Sequence, residues 1–143
     1  MPLSEEEQRK RREAVRGFAF KAPYISLFNM DPEIWTEEEV RIRLPFDERL
    51  TNDGSYFHGG VMASLMDTAG AMAVWAGHDF DKGAKASTVS MSINYLGAAA
   101  KTDLIAEARC VKRGREIHFS EIKISDANGK PVASGVLAYR IVP

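Results

Sequence analysis

The chain has 143 residues, 45% of them hydrophobic and 27% charged, with a formal net charge of −1. One domain of this length buries a core large enough to fold without disulfides or metals. The near-neutral balance argues against general binding to nucleic acid, which needs clustered Lys and Arg.

Residues 4–16 are charged helix formers, and Ser4 followed by Glu7 has capping-box spacing, so a short surface helix is expected. Residues 21–37 hold Pro23 and Pro32 and read as an irregular lead-in. Residues 1–36 are thus an N-terminal helix and lead-in to a single domain, 1–143. Residues 38–46 alternate, with Val40, Ile42, Leu44 and Phe46 against Arg41 and Arg43, the pattern of a half-buried strand. A loop follows with Asn52, Asp53 and Gly54 as turn residues. From Gly59 to about Ala76 the chain is apolar on all sides and rich in Ala, Met and Leu, the pattern of a fully buried helix. Gly77 is placed to stop it in the usual C-terminal manner.

The remainder reads as strands. Val89, Met91, Ile93 and Tyr95 alternate with polar residues, as do Leu104, Ala106, Ala108 and Cys110. Near 115–125 the apolar phase shifts from Ile117 and Phe119 to Ile122 and Ile124, as at a bulge. Asp126-Ala127-Asn128-Gly129 is a hairpin signal before a last strand over 131–141. On this pattern Cys110 is core and His118 an ordinary polar-face residue. His78-Asp79-Phe80-Asp81 is a flexible loop without a second cluster of ligands, so no metal site is expected. The single cysteine fits a reducing compartment. Neither a secretory leader nor a membrane span is legible, because the longest apolar stretch, 61–76, is short and carries Asp67. A soluble cytoplasmic protein is expected.

The plan is α+β, with short connections that favour antiparallel pairing. One sheet covers only one side of a buried helix, and the simplest cover for the other side is a second subunit.

Asp67 is the one ionisable residue in that helix. A carboxylate there is costly unless it is partnered or used. Either it accepts bonds from backbone or neighbouring hydroxyls, or it does chemistry. His58-Gly59-Gly60 stands at the helix start, where the first amides lack partners and the dipole is positive. Such amides suit a carbonyl oxygen that becomes negative. Gly59 and Asp67 lie about 12 Å apart along the helix axis, at 1.5 Å per residue, too far for one carbonyl to touch both. If both act in one reaction, they come from different chains. Two antiparallel helices meeting across a two-fold axis would meet that requirement and also supply the missing cover.

The run Asn52-x5-His58-Gly59-Gly60-x6-Asp67 resembles the hotdog thioesterase superfamily, in its phenylacetic-acid-degradation-type branch. Thr88 to Leu96 resembles that family's following strand. Arg113-Gly114-Arg115 and Asn128 to Ala133 resemble its last hairpin, and the resemblance spans roughly residues 38–141. It implies the hotdog fold, an antiparallel sheet wrapped around a long central helix. It also implies hydrolysis of an aryl- or short- to medium-chain acyl-CoA, with no cofactor, by a homodimer or a dimer of dimers.

The residue roles follow from the same resemblance. The Gly59 amide would polarise the thioester carbonyl, with help from Gly60. Asp67 of the partner subunit would attack that carbonyl or activate water. Asn52 would position the thioester or the water, and His58 would orient the loop or bond near the carbonyl. Thr88 would hold the attacking water, with Ser87 as the fallback. Lys112, Arg113 and Arg115 are candidates for the phosphates of coenzyme A. Met66, Gly70 and Tyr56 are candidates for the acyl pocket. Two other readings stay open: a hotdog enoyl-CoA hydratase or dehydratase, and a non-catalytic acyl-CoA sensor.

Overall fold

The computed structural model describes all of residues 1–143. In chain order the elements are α1 (Glu5–Ala19), β1 (Asp31–Trp35), β2 (Val40–Leu44), α2 (Gly59–Ala76), β3 (Lys85–Tyr95), β4 (Leu104–Arg113), β5 (Ile117–Asp126) and β6 (Pro131–Val142). The strands form one six-stranded sheet in the order β1-β2-β4-β5-β6-β3, with every neighbouring pair antiparallel. The sheet wraps around α2, which packs against all six strands. This is the expected α+β hotdog architecture.

The capping box at α1 forms: Ser4 Oγ accepts from the Glu7 amide and Glu7 Oε2 accepts from the Ser4 amide. The lead-in differs from expectation, because residues 31–35 form β1. Pro32 lacks a donor, which an edge strand tolerates, and a register shift between Pro32 and Ile34 absorbs the mismatch with β2. Trp35 ties this strand to the helix by donating from Nε1 to the Met72 carbonyl at 2.9 Å.

Helix α2 sits closely on the sheet. Leu65, Met66, Ala69 and Met72 pack with Ile42, Leu44, Leu104, Ile122 and Leu137 in the main core. Two glycines permit the approach. A Cβ on Gly70 would lie 2.7 Å from Leu137 Cδ2, and one on Gly135 would lie 2.5 Å from Met66 Sδ. Met66 and Gly70 therefore face the sheet, and neither lines an acyl pocket. Ser120 faces inward too and donates to the Gly70 carbonyl at 2.8 Å. The phase shift expected within 115–125 is accordingly absent: His118, Ser120, Ile122 and Ile124 all point inward, while Ile117 and Phe119 point out. The bulge lies across the ladder in β4, between Cys110 and Lys112, and leaves Cys110 only half-buried.

The helix is not covered on every side by its own chain. Gly60, Ala63, Ser64, Asp67 and Ala71, at positions i, i+3, i+4, i+7 and i+11, form a stripe that stays partly exposed. At the C-terminal end, Gly77 has φ −117°, so no left-handed cap forms. Its role is space: a Cβ there would lie 2.6 Å from Arg113 Nη2. The Arg113 guanidinium donates to the Val74 carbonyl at 3.0 Å and the Ala73 carbonyl at 3.5 Å, a cation at the negative end of the helix. His118, expected on a polar face, is 2% exposed beneath this end and edge-on to His78. Burial holds both imidazoles below their ordinary range, and the nearby Arg113 charge adds to the effect.

Candidate active site

The two ends of the partly exposed stripe carry different chemistry. At the N-terminal end, His58 caps α2 in extended conformation, and its Nδ1 accepts from the Gly60 amide at 2.8 Å. The neutral ring thus keeps its proton on Nε2, at the surface. Gly60 is fixed by the same contact, since a Cβ there would lie 2.9 Å from His58 Nδ1. The Gly60 amide is consumed by this bond, so it does not assist a carbonyl as expected. The Gly59 amide has no hydrogen-bond partner in the chain, and its carbonyl accepts from the Tyr95 hydroxyl at 2.8 Å. Asn52 is exposed in the preceding loop, held through its backbone amide to the Tyr56 carbonyl.

Two helical turns on, Asp67 meets β3. Thr88 Oγ1 donates to Asp67 Oδ1 at 2.7 Å. Ser87, one residue earlier, lines the same cleft with them. That cleft has a volume of about 570 Å³ and is mainly apolar, lined by Phe18, Ile25, Met72, Trp75 and Tyr139. Tyr139 is the cross-strand partner of Thr88 and accepts from Trp75 Nε1 at 3.1 Å. Burial pushes the Tyr139 hydroxyl above its ordinary range, and the Asp67 charge pushes the same way. It remains a neutral donor.

The structure therefore brings Asp67, Thr88 and Ser87 together at one cleft and sets His58, Gly59 and Gly60 about 12 Å away along the helix, with Asn52 on the loop before them. Tyr56 is exposed on the loop before His58, outside the cleft. Lys112 and Arg115 are exposed beyond the C-terminal end of α2, while Arg113 is engaged with the helix carbonyls.

Two neighbours of these groups carry fainter signals in the sequence. Tyr95 sits where a Gly59 Cβ would come within 3.3 Å of its ring, so a glycine opening a helix was the available signal. Phe18 belongs to a face of α1 formed by Ala14, Val15, Phe18 and Ala19, an i, i+1, i+4, i+5 pattern inside an otherwise charged helix.

The family model of the thioesterase superfamily matches residues 54–133. A Halobacterium salinarum protein described as an esterase is 33% identical over 126 residues, covering 82% of this chain and 83% of that one. Human acyl-coenzyme A thioesterase 13 is 29% identical over 99 residues, 68% of this chain and 69% of that protein. A Streptococcus pneumoniae protein, described as a hypothetical thioesterase and crystallised with coenzyme A, has the same fold at a TM-score of 0.74. The two are 24% identical, and the match covers 90% of this chain and 96% of that one. The family match takes in more than half of the chain and both ends of the helix stripe, and the chain therefore belongs to the thioesterase superfamily, hotdog-fold enzymes whose class of chemistry is thioester hydrolysis.

Proposed function

We propose that this protein is a cytoplasmic acyl-CoA thioesterase of the phenylacetic-acid-degradation-type branch, hydrolysing an aryl- or short- to medium-chain acyl-CoA in a site shared between two subunits. The observation that carries this reading is the path of β3. The strand begins beside Asp67, through Thr88, and ends beside Gly59, through Tyr95. It is also an edge of the sheet, with its outer row of N–H and C=O groups open to pairing. If β3 pairs antiparallel with its own copy about Met91 and Ser92, Thr88 stands opposite the partner's Tyr95. That one pairing sets Asp67 of each chain near Gly59 of the other and covers the open stripe of α2.

In this site the unpartnered Gly59 amide receives the thioester oxygen as negative charge develops. The Nε2–H of His58 and the side chain of Asn52 flank it. Asp67 of the other chain, oriented by Thr88, attacks the carbonyl or draws the proton from an attacking water. Lys112 and Arg115 are the cations left for coenzyme A phosphates, and the exposed Ile117, Phe119 and Val136 of the outer sheet face are where two dimers would meet. Support for an acyl-CoA substrate comes from the human relative and from the coenzyme A bound to the structural neighbour.

The test is thiol release from a panel of acyl-CoAs. Asp67→Asn should lower kcat by at least about 10²-fold, the scale of lost general base catalysis. Release at the wild-type rate sinks the reading, and binding without release from the wild type leaves only an acyl-CoA binder. The shared site has its own test. Asp67→Asn and Gly59→Pro, each inactive, should recover about a quarter of wild-type activity after subunit mixing, because half the dimers then hold one intact site of two.

A further inference from the structure

We propose that the cleft between α1 and α2 holds the acyl chain itself, is sized for a linear medium-chain group, and has Phe18 of α1 as its selectivity wall. This rests on the thioesterase reading, and it goes beyond it by naming the substrate class and a determinant outside the region matched by the family. The cleft volume of about 570 Å³ falls in the usual range for small-ligand pockets, roughly 300–1,000 Å³. Asp67 and Thr88 provide a polar rim. From that rim the cleft follows one face of α2 past Ala71 and Met72 to Trp75.

Eight residues of helix separate Asp67 from Trp75, about 12 Å at 1.5 Å per residue. An extended alkyl chain built from 1.5 Å bonds advances roughly 1.3 Å per carbon, so the cleft spans about nine carbons. Phe18 stands at its mouth 72% exposed, an aromatic ring with little cover from its own chain.

The wall is anchored. Gln8 donates to Asp79 Oδ1 at 2.9 Å and its Oε1 accepts from the Phe80 amide at 2.9 Å, while the Leu3 amide donates to Asp81 Oδ1 at 2.8 Å. The 78–81 loop, expected to be flexible, is thus the socket that seats α1 over the cleft. Phe80 stacks on Trp75 from the same loop and steadies the cleft's inner end.

Two measurements test this. The first is kcat/KM across straight-chain acyl-CoAs of about four to sixteen carbons. The wild type should peak at about eight to twelve, and Phe18→Ala should lose about tenfold on decanoyl-CoA and less than about twofold on butyryl-CoA, the value of one apolar side chain's contact. A flat profile, or an equal loss at every length, overturns the proposal. The exposure of Phe18 keeps that variant folded.

The second measurement needs no turnover. Calorimetric titration with decanoate should show saturable binding that Ala14→Trp, a filling substitution at an exposed cleft position, abolishes. Unchanged decanoate binding in that variant overturns the cleft even while thiol release continues. Binding that is lost in the variant, from a protein that hydrolyses no acyl-CoA, upholds the cleft and sinks the thioesterase reading alone.

Discussion

Helix α2 ends in two opposite ways. Its C-terminal end is closed: the Arg113 guanidinium bonds the last carbonyls, and Trp75, His78, Phe80 and His118 pack around them. Its N-terminal end is open: the Gly59 amide has no partner in the chain, and the adjacent His58 is exposed. Both ends offer unsatisfied backbone groups by geometry alone. At one end the fold satisfies them and gains stability. At the other it leaves a positive dipole end with a free donor. On the function proposed above, one end serves the scaffold and the other the chemistry.

The comparison can be broken most sharply at Gly59. Proline is welcome at the first position of a helix, and the extended His58 before it suits a following proline. Gly59→Ala brings a Cβ to 3.3 Å from the Tyr95 ring and keeps the N–H, so it is the control for Gly59→Pro, which brings the same Cβ and removes the N–H. The proline variant should lower kcat by about 10²–10³-fold below that control, the usual loss for one oxyanion donor, with a melting temperature close to the control's. Full activity in this variant would mean that the open end is not part of the chemistry.

The closed end should respond in the reverse manner. Arg113→Met leaves the Val74 and Ala73 carbonyls without their charged donor and should cost about 1–3 kcal/mol of stability in denaturant titration. At a temperature where the variant is folded, kcat should stay within about twofold of wild type. A raised KM for acyl-CoA with unchanged stability would instead assign Arg113 to the coenzyme A phosphates.

The smallest effect concerns pH. His78 and His118 have folded-state values held below 6.5 by burial, with Arg113 and Lys82 acting the same way at both, while the bond to the Gly83 carbonyl and then the Asp79 charge oppose it at His78. Below pH 6.5 the unfolded chain takes up protons that the folded chain resists, so this contribution is present above pH 6.5 and is lost as pH falls through the lowered values. The melting temperature should fall by a few degrees between about pH 7.5 and pH 5.5, and His118→Phe should flatten that slope. A slope identical in the variant would remove the buried imidazole from the account.

Much of this contrast was legible in the order of residues, but unevenly. Gly59 and Asp67 stood out because each breaks a pattern: two glycines where a helix begins, and one carboxylate in an apolar run. Arg113 did not, since three cations around Gly114 look alike in a sequence, and only the approach of β4 to the end of α2 picks one out. His118 was misread because the alternation of β5 was counted from Ile117 and Phe119, the two apolar residues that face outward. A helix apolar on all sides gives no sign of which face meets the sheet, so the sequence leaves Met66 and Gly70 as open to a pocket as to the core.

The sequence by itself determined the α+β plan, the central helix, the hairpin at 126–129 and the run of residues that carries the family. Those features are written in short-range periods and in glycine, asparagine and proline positions, which depend on local backbone geometry. Tertiary structure alone decided that Thr88 bonds Asp67, that β3 links the two ends of the exposed stripe, and that the N-terminal helix walls a cleft by gripping the 78–81 loop. Each of these joins segments distant in the chain, and a contact between distant segments leaves no period in the sequence: it is fixed only when the sheet closes around its helix.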